Sequence, residues 1–549
     1  MDRTGASHNH FLRLRHSHQT SAGAPLDYNP GGTRMTLNRR QFLHAGTTLA
    51  AGNLARRLHS FALAAVPAPT LAAELASDPR RPQFHLLPAA NWMNDPNGPI
   101  WWKGHYHMFH QYNPNAAVWG DMHWAHAVSP DMLHWRHLPI ALAPQPRGAD
   151  AAGCFTGTAI RDGDRVVVLY TGVIDTAAPG APPAFKESQC IATASDPDLI
   201  SWTQEPAPVI AAPPPGLNVT GFRDPVPWRQ GDTWYLAVGS GIRGHGGAVL
   251  LYRSPDLRHW EYLHMLAQGS PTGSSAGDPV ASGDMWECPD FFPIGDKHVL
   301  IYSTQGKTFW QTGTLDTDAM LFRSERDGIL DYGSFYAPKT QLDRLGRRIL
   351  WGWIPETRPQ SEYSAAGWAG IMSLPRVITL DPAGNLRIAL LPEFDQLGAT
   401  KRELRLTGDD SQNRRQLPGI AIRGACGEIV VSIDQASESI EVALVSVEDP
   451  AKPWLTCRYD PAQPDIALID NQRVPTGPAG SRAPVELRFV IDGSVIECFA
   501  NGCGTLTKRF YYPGPTAPTL GIEINGSLKN LSALSVAQIK PISANRLTT

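Results

Sequence analysis

The chain has 549 residues, with 48 Lys+Arg against 51 Asp+Glu and a net charge of −3. Its length calls for more than one domain, and its balanced charge offers no basic field for nucleic acid or an anionic membrane. Its 50 Gly, 48 Pro and 16 Trp suit many short strands joined by turns, with aromatic surface to spare for the C–H faces of a sugar.

Residues 1–34 are rich in His, Ser and Gly and show no periodicity, and Met35 stands where a targeting segment would begin. Residues 35–76 read as a twin-arginine export signal: Arg39-Arg40 is followed by Phe42-Leu43 and then an Ala- and Leu-rich run. Asn38 stands where Ser or Thr is more usual, and Arg56-Arg57 interrupts the apolar stretch. No 18 consecutive apolar residues occur, so no membrane anchor is expected in the mature protein. The expected location is periplasmic or extracellular.

From about residue 80 to 390 the chain reads as β-structure. Short β-branched or aromatic runs such as H-Y-H-M-F-H-Q-Y, R-V-V-V-L-Y-T-G and H-V-L-I-Y-S-T are bounded by Gly, Asp and Pro. A repeat sets the architecture. Ser129-Pro-Asp-Met-Leu-His-Trp135, Asp196-Pro-Asp-Leu-Ile-Ser-Trp202 and Ser254-Pro-Asp-Leu-Arg-His-Trp260 share a turn and a strand-end Trp. A period of that size suggests four-stranded propeller blades. Five strings open the blades: W-M-N-D-P at 92, C-F-T-G-T at 154, F-R-D-P at 222, W-E-C-P-D at 286 and L-D-Y-G-S-F-Y at 330. The expected fold is therefore all-β: a five-bladed propeller whose opening strands meet at a central funnel. Residues 391–400 read as a short, helical connector. Residues 401–541 alternate apolar and polar at period two, as an antiparallel β-sandwich does.

Three acids stand in rigid settings among the openings. Asp95 lies in the expected tight turn W-M-N-D-P-N-G, Asp224 between Arg223 and Pro225, and Glu287 between Trp286 and Cys288. Cleaving a glycoside through an oxocarbenium-like state takes one ionised and one protonated carboxyl group. Glu287, flanked by Trp286, Phe291 and Phe292, suits the protonated role, and Asp95 in an amide-rich turn suits the ionised one. Taken singly, these motifs are a turn, a surface ion pair and an unremarked glutamate.

The ordered set W-M-N-D-P-N-G, F-H-Q-Y-N-P, W-G-D-M-H-W-A-H-A-V-S-P-D-M-L-H-W, F-R-D-P, W-E-C-P-D-F-F and D-Y-G-S-F-Y-A resembles the motifs of glycoside hydrolase family 32, which contains invertases, inulinases and levanases. The C-terminal V-I-D-G-S-V-I-E-C-F-A-N-G is similar to that family's sandwich signature. The resemblance covers roughly Pro82 to Pro541. It implies a retaining hydrolysis of β-fructofuranosyl bonds in sucrose or fructans, with no cofactor and no metal. Carried over, Asp95 is the nucleophile, Glu287 the acid/base, and Asp224 with Arg223 holds the fructose hydroxyls. Asn94, Gln111, Trp119, Phe155 and Thr156 fall on the fructose pocket and Trp92 on its wall. Thr156 replaces the more usual Ser. Asp331 reads as a turn residue and Cys288 as a packed thiol.

Rival readings are a fructosyltransferase on the same scaffold, a fructan-binding lectin that dispenses with the acid, and a metallohydrolase built on His105, His107, His110, His123, His126, His134 and His137. A zinc site needs three converging ligands and an open position, and no complete ligand set is evident. The seven cysteines, at 154, 190, 288, 426, 457, 498 and 503, include no C-x-x-C pair, and their odd number leaves at least one thiol unpaired, so no disulfide framework is expected, a single bridge within the sandwich region being the alternative. No motif speaks to oligomeric state.

Overall fold

The computed structural model describes residues 67–549, apart from 180, 182, 270–282, 399–400, 404–413, 418–419, 435–437, 479 and 482. The extension 1–34 and the twin arginine lie outside the described residues. The helix Pro69–Ser77 opens the described chain. It starts on a proline, whose fixed φ suits a first helical turn, and its Leu75 is buried against Phe84 and Trp368.

Five antiparallel sheets, each built on four strands, follow one another along the chain, and the fifth is interrupted after its second strand by the short strands Trp368–Ala369 and Ile371–Met372. Their opening strands are Asn91–Trp102, Gly153–Asp162, Val219–Gln230, Glu287–Ile294 and Tyr336–Leu342. Each opening strand lies against those before and after it, and the fifth lies against the first. The aromatic and β-branched runs singled out in the sequence form the second strands, among them His105–Asn113, Arg165–Asp175 and Lys297–Thr304. The S-P-D repeat forms the link between third and fourth strands. In its three copies the terminal indole donates to the carbonyl three residues back: Trp135 to Met132 at 3.1 Å, Trp202 to Leu199 at 2.8 Å and Trp260 to Leu257 at 2.9 Å. The acceptor residues sit at φ of 68°, 59° and 65°, and an aspartate caps each tight turn by accepting backbone N–H bonds.

Every opening strand is bulged at the same step of its pairing with the second strand. Residues 94–95, 155–156, 224–225, 288–289 and 337–338 each place two residues opposite one. A bulge interrupts the ladder and re-aims side chains. It also tolerates proline, and Pro225, Pro289 and Pro338 occupy its second position, after Asp224, Cys288 and Ala337 at φ of 66°, 49° and 51°. Side chains of the preceding sheet bind the backbone groups around these bulges. Gln111 donates to the Cys154 carbonyl at 2.8 Å, Thr171 accepts from the Asp224 N–H at 2.9 Å, and Ser303 accepts from the Ala337 N–H at 3.0 Å.

Two expectations are corrected here. W-M-N-D-P-N-G is not a tight turn but the interior of the strand Asn91–Trp102, because Pro96 pairs with His110 just past the bulge at 94–95 and Pro99 falls in a second bulge between Asn97 and Ile100, so the pairing continues. Gly98 is required there: its φ is 45° and a Cβ would strike the Ala159 backbone. The string at 330–336 does not open the fifth sheet as a unit. Leu330 and Asp331 end the last strand of the fourth sheet, and the fifth opens only at Tyr336.

The sequence Leu391-Pro-Glu-Phe-Asp-Gln-Leu forms a 3-10 helix over Pro392–Leu397. Beyond it, two six-stranded sheets share one apolar core that includes Ile429, Val431, Val442, Leu444, Phe489 and Ile522. These sheets meet the five-sheet region through buried charge. Arg376 donates to Asp331 at 2.8 Å and to Glu497 at 2.7 Å, and the hydroxyls of Thr505 and Thr507 donate to the same Asp331 oxygen. Asp331 is thus a joint between the two regions rather than a simple turn residue. His85 bridges Asp492 at 2.8 Å and Glu497 at 3.0 Å.

A further strand, Trp368–Ala369, comes in the chain between the second and third strands of the fifth sheet and pairs in parallel with Asn91–Trp92 of the first. The Trp368 ring lies under the guanidinium groups of Arg81, Arg358 and Arg509, at 5.3, 4.9 and 5.6 Å. Glu356 binds Arg358 at 2.8 Å and Arg509 at 3.4 Å, and it also accepts from Tyr511.

Candidate active site

The bulges bring the three acids of the sequence together from the first, third and fourth opening strands. Asp95 is 2% exposed, Asp224 0% and Glu287 5%. One Asp95 oxygen accepts from the Thr156 hydroxyl at 2.6 Å and the other from Asn94 Nδ2 at 3.0 Å. Asn94 is in turn held by the Trp92 indole N–H at 2.8 Å. Trp92 is wholly buried, edge-on to Trp353 and tilted against Tyr363, so it reaches the carboxylates through Asn94. Two side-chain donors thus fix the orientation of this carboxylate.

Asp224 Oδ2 accepts from the Cys288 N–H at 2.8 Å and lies 3.4 Å from Cys288 Sγ, which is also 3.5 Å from Asp95 Oδ2. The thiol therefore stands between the two aspartates with one proton to offer. The packed thiol expected from the sequence is buried, and it also faces the carboxylates.

Glu287 accepts from Arg223 Nη2 at 2.6 Å and from the Tyr336 hydroxyl at 2.5 Å. The aromatic surroundings expected from its sequence neighbours are not there. Trp286 stacks on Tyr302 at 3.9 Å, and, because side chains alternate across a strand, Phe291 packs in the core between the third and fourth sheets and Phe292 in that between the fourth and fifth. Arg223 donates its other Nη to Glu187 at 2.8 Å, and Glu187 also accepts the Phe222 N–H at 2.5 Å. Burial works to lower the proton affinity of Arg223, but Glu187 and Glu287 outweigh it and raise it well above the ordinary value. Arg223 is a fixed cation.

Among the remaining predicted pocket residues, Phe155 and Trp119 meet edge to face at 5.8 Å, with Phe185 against both. Gln111 is buried and spends its amide N–H on Cys154. Sequence reasoning missed Glu187, Tyr336, Thr171 and Phe185. Glu187 and Phe185 lie on the third strand of the second sheet, Phe185–Ala194, whose mixed F-K-E-S-Q start carried no signal of a site.

The histidines go elsewhere. His107 Nδ1 meets His126 Nε2 at 2.9 Å, His110 bonds the Gln111 carbonyl at 3.1 Å, and His134 pairs with Asp131 at 2.8 Å. Burial holds His107 down to about 4 and His110 to about 3. Among the described residues no group of three or more His, Cys, Asp or Glu is arranged to hold a metal ion.

Buried carboxylates converging from separate strands are the equipment of glycoside chemistry, and comparison with known proteins agrees. Residues 85–389 match the glycosyl hydrolases family 32 N-terminal domain and residues 398–540 its C-terminal domain. The chain is 34% identical over 457 residues to sucrose-6-phosphate hydrolase of Escherichia coli, covering 80% of this chain and 91% of that one. Its structure is similar to that of fructan 1-exohydrolase IIa from Cichorium intybus, with a TM-score of 0.70 and 26% identity over 84% of this chain and 98% of the other. It is also similar to a Bombyx mori β-fructofuranosidase variant in complex with sucrose, with a TM-score of 0.67 and 28% identity over 86% and 97% of the two chains. The chain belongs to glycosyl hydrolase family 32 and is a glycosidase.

Proposed function

We propose that the protein hydrolyses β-fructofuranosyl linkages of sucrose and fructans with retention of configuration. The observation that carries this reading is the convergence of Asp95, Asp224 and Glu287, from three opening strands, around Cys288 and Arg223. Relatives named for sucrose phosphate, sucrose and fructan support the substrate class.

Asp95, held between Thr156 and Asn94, attacks the anomeric carbon. Glu287 gives its proton to the glycosidic oxygen as that bond breaks, so the leaving sugar departs neutral and a fructosyl ester of Asp95 remains. Glu287, now a carboxylate, takes a proton from water, whose oxygen attacks the same carbon and releases Asp95. Two displacements restore the starting configuration. Asp224 and Arg223 hold ring hydroxyls, a role whose value lies in bonds that tighten at the transition state. Trp119 and Phe155 supply flat apolar surface for the sugar ring.

The contact between the fifth and first opening strands and the returning strand Trp368–Ala369 support a five-bladed propeller around this site. The paired C-terminal sheets support a sandwich. Arg39-Arg40 supports export of the folded protein. Incubation with sucrose, inulin and levan is expected to release fructose from at least one. Longer oligosaccharides in place of fructose would favour transfer to sugar, and no product from any of the three would favour a lectin.

A further inference from the structure

Glu287 must hold a proton when substrate arrives, yet its contacts work against that. A guanidinium beside a carboxylate favours the ionised form by about one to three pH units, and a donated phenol hydroxyl adds to it. Arg223 at 2.6 Å and Tyr336 at 2.5 Å do both. The charged and titratable groups near Glu287 are Arg223 and Asp224 from the third sheet, Glu187 from the second, Asp95 from the first and Tyr336 and Lys339 from the fifth. Cys288 and Asp290 lie on its own strand. Lys339 is turned to the Pro289 carbonyl and Asp290 to the Thr340 N–H, so neither answers Arg223. Glu187 does: its carboxylate takes the other Nη of the same guanidinium at 2.8 Å and is fastened by the Phe222 N–H.

We propose that Glu187 is a positioning residue that lets Glu287 keep its proton, by sharing the charge of Arg223. The proposal rests on Glu287 being the acid/base. Glu187 has no direct part in bond making. Its negative charge offsets part of the positive field that Arg223 directs at Glu287 while holding the guanidinium fork in place for substrate hydroxyls. Without it, only Asp224 is left to share the charge of Arg223 with Glu287, the acid loses its proton at lower pH, and catalysis fails earlier on the alkaline side.

The test is the pH profile of kcat/KM for Glu187→Gln, Glu187→Asp and Glu287→Gln beside the wild type, on whichever of sucrose or inulin is cleaved. The descending limb is expected to move to lower pH by about one unit in Glu187→Gln and by less in Glu187→Asp, with the ascending limb unmoved. A uniform loss at every pH, with the descending limb in place, would mark Glu187 as merely structural and overturn the proposal. Should Glu187→Gln not fold, by circular dichroism, Glu187→Asp carries the test in the same direction. Full activity in Glu287→Gln would instead remove the acid/base assignment itself, so the two failures are distinguishable.

Discussion

The Thr156 hydroxyl donates to Asp95 at 2.6 Å across the junction of the first two sheets, tying the orientation of one buried carboxylate to a residue of the next opening strand. A hydrogen bond to a charged acceptor contributes about 1.5–3 kcal/mol. Thr156→Ala is therefore expected to lower kcat/KM roughly 10- to 100-fold, and Thr156→Ser, which keeps the donor, far less. Steady-state kinetics of the pair checks this, and equal losses in both would assign the effect to packing of the methyl group.

Asp95→Asn is expected to abolish turnover, and Glu287→Gln to slow it by about 10²–10⁴-fold, the usual contribution of a positioned acid/base. Rapid product analysis by NMR should show the β-anomer of fructose first. Initial release of the α-anomer would point to inversion and to carboxyl groups farther apart than the roughly 5 Å that retention requires.

Stability should fall on the alkaline side through His85. Burial alone would lower its pKa, but the hydrogen bonds to Asp492 and Glu497 outweigh it and raise it to about 9. A folded-state value above the ordinary one of 6.5 means that the contribution is complete below about 6.5. It is lost as pH rises through about 9. Melting temperature is expected to decline across that window in the wild type and to change less in His85→Gln. A parallel decline in both would show that other groups govern it.

Arg376 lies between Asp331 and Glu497 with all three side chains fully buried. Replacing it by Met leaves two carboxylates without their cation, and breaking a buried pair this way costs about 3–5 kcal/mol. Burial works to raise the Glu497 pKa, but Arg376 and His85 outweigh it and hold it near 2. The destabilisation of Arg376→Met, read by urea unfolding, is therefore expected to be large at neutral pH and to shrink as pH falls below the ordinary glutamate value of 4.5. A pH-independent loss would assign the effect to the cavity instead.

Strand composition and the Trp repeat made the β-architecture legible, because four-strand periodicity and capped turns are local properties. The three acids were legible as a set through the order of their motifs. Their environments were not. Asp95 sits in a bulged strand whose pairing with residues 107–110 runs on through Pro96 and past a second bulge at Pro99, which no short window reveals. Glu287 exchanged the aromatic neighbours beside it in sequence for Arg223 and Tyr336 across the site. Glu187 and Asp331 acquire their roles from Arg223 and Arg376, partners far away along the chain.

The pairing of Trp368–Ala369 with Asn91–Trp92 also bears on biogenesis. The strand that carries Asp95 leaves the ribosome early, with one edge lacking a partner that is made only much later, and the Arg509 that covers Trp368 follows later still. Such non-local pairing makes folding slow and exposes strand edges meanwhile. A nascent chain stopped before residue 368 should accordingly be inactive and prone to aggregation, so that catalytic competence arrives all at once, near the end of synthesis.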